Sequence, residues 1–144
     1  MMDFLTSKEA EYLKILYSFW ERGEEVVGPR KIVSILRVST PTVVEVLKRL
    51  ASKDLVIYLD WKGVKLSEKG LKIAESIVRS HRILEILFVN TGVDLESACR
   101  SASLIDSRIS DSVIDRICEH LDHPNRCPHG YLIPRKRECC ERGR

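Results

Sequence analysis

The chain has 144 residues, 44% hydrophobic and 31% charged, with a formal net charge of +3 and five cysteines. That is enough to bury a real core in one compact unit or two small ones, and the charge is too mild to argue for nucleic acid by itself. No apolar run reaches about 18 residues and none follows a basic start, so a membrane span and a leader are not expected and a cytoplasmic location is.

Residues 6–22 (TSKEAEYLKILYSFWER) repeat Leu13, Leu16, Tyr17 and Trp20 at helical spacing. Thr6 or Ser7 suits the cap, Glu9 sits in the first turn where the helix dipole favours negative charge, and Gly23 ends the helix. Pro29 fits the first turn of a second helix over 29–36, with Ile32, Ile35 and Leu36 expected inside. Residues 38–40 form a turn. Ser39 or Thr40 then caps a third helix, TPTVVEVLKRLASK, whose buried stripe is Val43, Val46, Leu47 and Leu50. Residues 55–59 and 63–66 read as two strands around Asp60-Trp61-Lys62-Gly63. Trp61 at the tip is read as a packing residue, with a contact to a nucleic-acid backbone as the alternative.

This order is how a winged helix-turn-helix presents itself to DNA. Arg30, Lys31, Lys48, Arg49, Lys53, Lys62 and Lys65 crowd into the same segment. Any one of them is an ordinary solvated side chain; the cluster beside this motif points to phosphate contact. The expected DNA face carries Ser39, Thr40, Pro41, Thr42, Glu45, Lys48 and Arg49, flanked by Arg30, Lys62 and Lys65. Glu45 suits cytosine better than guanine.

Ser67 opens a long helix over 67–90, with Leu71, Ile73, Ala74, Ile77, Val78, Leu84 and Leu87 apolar. Two shorter helices are expected over 94–106 and 110–121, and Pro124 stops the last. These helices do not enclose a core alone, so a twofold dimer is expected, placing two recognition helices one DNA turn apart. The tail 131–144 holds five Lys or Arg against two Glu and reads as loosely ordered unless its cysteines bind something. The expected class is mainly α with a small β wing. A winged helix-turn-helix over 1–70 precedes a helical dimerisation and metal-binding domain over 71–134 and a basic cysteine tail over 135–144.

His81 and Glu85 share a helix face at i, i+4. Cys99, Ser103, Asp106 and Ser107 share a face of the next helix by the same spacing, and Glu11 lies on the first. His, carboxylate and Cys groups are ligands for divalent transition metals, and a His–carboxylate set suits iron or manganese. The ordinary reading is a surface His–Glu pair and a buried thiol. Cys118, Cys127, Cys139 and Cys140 add thiols that could form a thiolate or iron–sulfur site, with zinc a further candidate, although no standard CxxC spacing is present. A free, redox-reactive tail is the plain alternative. No nucleophile–base pair, phosphate loop or cofactor motif points to an enzyme.

The order of a winged helix-turn-helix, Ser80-His81-Arg82-Ile83-Leu84-Glu85, Gly92-Val93-Asp94, ISDSV at 109–113 and HPNRCPHGYLIP at 123–134 resembles the diphtheria-toxin-repressor family of iron- and manganese-dependent repressors. The resemblance covers essentially the whole chain and is to short members without the SH3-like domain. It implies a dimer that binds double-stranded operator DNA when loaded with metal and represses metal-uptake genes. It further implies that His81 and Glu85 belong to the family's secondary site, with Cys99 where relatives carry histidine. Glu11 falls on the first-helix ligand of the primary site. The primary-site motif reads Ser103-Leu104-Ile105-Asp106-Ser107 here, leaving Asp106 as its one good ligand. The competing expectation is a metal-independent or thiol-redox-responsive DNA-binding protein with decayed metal sites.

Overall fold

The computed structural model describes residues 4–141, which divide into two compact units, one of residues 6–75 and one of 76–141 together with 4 and 5. In the first unit, α1 (Ser7–Glu21), α2 (Pro29–Leu36) and α3 (Thr40–Ser52) precede β1 (Val56–Leu59) and β2 (Gly63–Leu66). The long α4 (Glu68–Asn90) starts in this unit and continues into the second.

Each helix begins where the local chemistry puts it. Thr6 caps α1: its hydroxyl accepts from Glu9 N at 3.1 Å, while Thr6 N donates back to Glu9 Oε2 at 3.2 Å. That reciprocal capping box satisfies two amides that would lack a partner at a helix start. Glu9 is also 1% exposed, and Lys53 Nζ (2.6 Å) and Arg49 Nε (3.5 Å) reach its carboxylate from the end of α3. Its position in the first turn therefore serves packing of α3 on α1 as well as the helix dipole. Ser39 caps α3, and Val43, Val46, Leu47 and Leu50 are all buried as the stripe predicts. In α2 Ile32 is fully buried, but Ile35 is 50% exposed, against expectation. The helix is only two turns long, so few of its positions can face the core.

The two strands pair antiparallel, Val56 with Leu66 through Leu59 with Gly63. Val27 adds a bridge to Val64, with both backbone hydrogen bonds at 2.8–2.9 Å. Gly63 makes this possible: a Cβ there would lie 2.3 Å from the Val27 carbonyl oxygen. Gly70 does the same at the start of α4, where a Cβ would meet the Leu55 carbonyl oxygen at 1.8 Å. Trp61 is fully exposed at the turn, with φ of 60°. The packing role expected for it is wrong, because the tight turn turns its side chain away from the sheet.

The second unit contains the rest of α4, then α5 (Leu95–Ile105), α6 (Asp111–His120) and the short α7 (Arg137–Cys140). Asp94 caps α5, accepting from Ser97 N at 2.9 Å. The unit has its own core of Ile83, Leu84, Ala102, Ile114, Cys118, Cys127, Ile133 and Cys140. The helices do not enclose this core alone: Cys127, Ile133 and Cys140, from the segment after α6, supply the missing wall. The tail is also more ordered than expected. Arg126 bridges to Leu132, Arg82 lies over the Tyr131 ring at 5.3 Å, and Lys136 Nζ reaches Asp115 Oδ2 at 2.8 Å. Residues 142–144 lie outside the described residues.

Candidate functional site

On the first unit, burial of the Val43–Leu50 stripe leaves the opposite face of α3 outward. Ser39, Thr40, Pro41, Glu45, Lys48 and Arg49 are exposed, and Thr42 is half-buried under the Ser39 cap, its hydroxyl 2.7 Å from Ser39 Oγ. Arg30 on α2 and Lys62 at the wing tip are exposed, and Lys65 is half-buried. Arg49 is shared between Glu9 and Glu45, the latter at 3.6 Å, so it braces the helix as well as presenting charge. Lys31 pairs with Glu24, and Lys53 with Glu9.

On the second unit, the centre is His81, one α4 turn before Glu85. His81 Nδ1 lies 3.0 Å from Asp106 Oδ2. A proton shared there leaves Nε2 as the ligating nitrogen, the usual way a carboxylate fixes a histidine tautomer. Nε2 lies 3.5 Å from Glu85 Oε1 and 3.6 Å from Cys99 Sγ. The donor atoms of His81, Glu85 and Cys99 lie within 4.8 Å of one another. A second group shares Glu85 and adds Cys127 and His129 on the same criterion. Glu85 is 1% exposed, and its Oε2 has no hydrogen-bond partner although His129 Nδ1 is 2.8 Å away. His129 Nδ1 and Glu85 Oε2 thus stand close enough to pair directly or to ligate a common cation. This donor set of imidazole, carboxylate and thiol fits a divalent transition ion.

The turn that delivers Cys127 and His129 is short and local. Gly130 N donates to Cys127 O at 2.8 Å, Cys127 N donates to Tyr131 O at 2.9 Å, and Gly130 has φ of 87°. Sequence reasoning does not single out His129; its place two residues after Cys127 in the RCPHG text is the signal that points to it.

Within this unit Asp106, Ser103 and Ser107 stand outside the group. Asp106 is buried against His81 and outside the converging sets, Glu11 is exposed on α1, Ser103 is exposed and Ser107 is buried. The cysteines separate as well. Cys127 faces Glu85 and His129, whereas Cys118, Cys139 and Cys140 gather with His123. Burial, with Cys139 and Cys140 alongside, pushes the Cys118 thiol up to about 12. Burial raises Cys139 too, whereas Cys140 falls below the ordinary thiol value because a backbone hydrogen bond and the charge of Arg135 outweigh its burial.

Residues 4–64 match the iron dependent repressor N-terminal DNA-binding domain, and residues 67–135 match the iron dependent repressor metal-binding and dimerisation domain. The chain belongs to the iron-dependent repressor family. It is 30% identical to the diphtheria toxin repressor of Corynebacterium glutamicum over 135 residues, 93% of this chain and 58% of that one. Among solved structures it superposes on the manganese regulator SloR with a TM-score of 0.79 at 33% identity, covering 88% of this chain and 59% of SloR. It also superposes on the hypothetical protein SSo2273 from Sulfolobus solfataricus with a TM-score of 0.71 at 30% identity, covering 91% of this chain and all of the other. The chain thus spans a little under three fifths of the first two relatives. Members of this family are transcriptional regulators rather than enzymes, and this chain carries the family's DNA-binding and metal-binding domains.

Proposed function

We propose that this chain is a homodimeric repressor of metal-homeostasis genes that binds double-stranded operator DNA when iron(II) or manganese(II) is held by His81, Glu85 and Cys99, with His129 and Cys127 completing the set. The observation that carries the reading is that both groups meet at the buried Glu85 carboxylate, His81 at its Oε1 and His129 at its Oε2. The bound ion would supply positive charge that offsets the buried Glu85 carboxylate and would tie α4, α5 and the 126–132 turn together. Asp106 positions His81 rather than ligating, and the serines at 103 and 107 leave no primary site of the family's kind. Coupling to DNA follows if the ion binds one dimer geometry better than the others, since a ligand shifts an equilibrium only by its differential affinity.

Exposed Leu104 and Val113, with a groove lined by Leu87, Val113, Arg116 and Ile117, supply apolar surface for pairing with a second copy. Arg30, Lys48, Arg49 and Lys62 supply phosphate contacts, and Thr40, Thr42 and Glu45 supply base contacts.

The test is selection of a duplex from a random pool with Mn²⁺ or Fe²⁺ present under anaerobic conditions, then titration by fluorescence anisotropy. Binding is expected to fall at least tenfold when the ion is withheld, and His81→Ala is expected to bind weakly at any metal concentration. Equal binding with and without the ion, in both proteins, would sink the reading.

A further inference from the structure

We propose that Cys118, His123, Cys139 and Cys140 form a Cys₃His site for one structural zinc ion that fastens the end of the chain to α6. The four donor atoms lie within 4.8 Å of one another. Bonds of about 2.3 Å to sulfur and about 2.0 Å to nitrogen place tetrahedral ligands roughly 3.5 Å apart for a sulfur–nitrogen pair. His123 Nδ1 lies 3.5 Å from Cys118 Sγ and 3.8 Å from Cys139 Sγ. The thiolates of an iron–sulfur cluster are spread around several iron atoms. This group is too tight for that, and it lacks Cys127, which stands with Glu85 and His129.

The backbone is shaped around the group. Cys118 lies in the last turn of α6, 1% exposed, and His123 N donates to Cys118 O at 2.9 Å, folding the ring back over the thiol. Asp122 and His123 are consecutive non-glycine residues at φ of 60° and 50°. Two left-handed residues in a row cost free energy that a fixed ligand position explains. From the other side, Cys139 N and Cys140 N both donate to Lys136 O, closing one helical turn that presents adjacent thiols.

The surrounding charge matches. Arg79 is 5% exposed, bonded to Asp115 at 2.8 Å, and its Nε and Nη2 have no hydrogen-bond acceptor. Lys136 pairs with the same Asp115 at 2.8 Å and lies 3.9 Å from the more exposed Asp111. Arg79, Lys136 and Arg135 against Asp115 and Asp111 sum to one positive charge, facing the single negative charge of three thiolates, a neutral imidazole and Zn²⁺. A buried guanidinium with idle donors beside thiols is explained once those thiols are ionised on a cation. The match to the metal-binding domain covers residues 67–135, so the paired cysteines lie outside the matched segment.

The experiment is metal analysis and native mass spectrometry of the full chain purified anaerobically, in a His81→Ala, Glu85→Ala background that removes a ligand from both groups at the centre on α4. One zinc per chain is expected there, and none after adding Cys139→Ser and Cys140→Ser. Cobalt(II) in place of zinc should give the intense visible bands of a tetrahedral thiolate site, lost in the same variant. Trypsin supplies a readout independent of metal content: cleavage after Arg135, Lys136 and Arg137 should rise at least tenfold in the double variant or on zinc removal, with helical circular dichroism retained. His123→Ala should release zinc without touching a thiol. Zinc content unchanged by these substitutions, equimolar iron and sulfide, or a Cys139–Cys140 disulfide in the fresh protein would each overturn the proposal. Failure of metal-dependent DNA binding would leave it standing, because the two sites share no ligand.

Discussion

The winged unit and the helical unit are built from similar helices but are specified differently. In the winged unit the helix starts and the buried stripe are set by near neighbours or a repeating face: Thr6 caps with Glu9, Ser39 caps α3, and Val43, Val46, Leu47 and Leu50 recur on one face, with Glu9–Lys53 and Val27–Val64 the long-range additions. In the helical unit the chemistry depends on residues far apart in the chain, such as His81 with Asp106, 25 residues away, and Cys118 with Cys139. A surface for DNA can be written locally, whereas a cation site needs ligands from several segments.

Replacing one buried stripe residue tests the first half of this contrast most severely. Leu47→Ala removes a fully buried side chain, and an expected loss of about 2–5 kcal/mol should appear in urea unfolding. The zinc content of the other unit should stay unchanged; a parallel loss there would show that the two units are not independently specified. Next in size, Asp106→Asn should weaken Mn²⁺ or Fe²⁺ affinity by roughly 10–100-fold with little change in unfolding, as removing the partner of a ligating histidine does. An affinity within twofold of the parent would mean that Asp106 does not position His81.

Arg49→Ala sits on the boundary between structure and recognition. It should weaken DNA binding several-fold and reduce the salt slope by about one. The stability cost should stay below roughly 1 kcal/mol, because Lys53 still faces the Glu9 carboxylate. An unchanged salt slope would confine Arg49 to bracing α1 against α3.

The smallest effect concerns the helix caps. The backbone hydrogen bond from Ser97, joined by its side chain, holds the Asp94 carboxyl below the usual carboxylate range. A depressed folded-state value gives stability that is present above the unfolded value near ~3.9 and is lost as pH falls through the folded one. Acid should therefore loosen the start of α5, seen as faster amide exchange at Ser97, and Asp94→Asn should flatten that dependence. The uncharged Ser39 cap of α3 should show no counterpart. Equal acid sensitivity at both caps would remove this distinction between the units.

Much of the winged unit is legible in the order of its residues. The wing motif, the burial of the α3 stripe, the capping residues and, beyond them, the His81–Glu85 pair all follow from spacings of a few residues along one element. There, helical or strand geometry alone fixes who faces whom. Ile35 and Trp61 depart from expectation, because their exposure depends on how much of a two-turn helix or a tight turn the neighbours cover. The grouping of the five cysteines, the entry of His129 and His123, and the ordering of the tail on α6 are decided only by tertiary structure. They pair residues across loops whose course is set by the packing of Ile114 and Ile133 and by the contacts of Arg82, and no periodicity along the chain encodes that meeting. Residue identity alone settles which ligand chemistries this protein owns; the fold decides which of them meet around a common point.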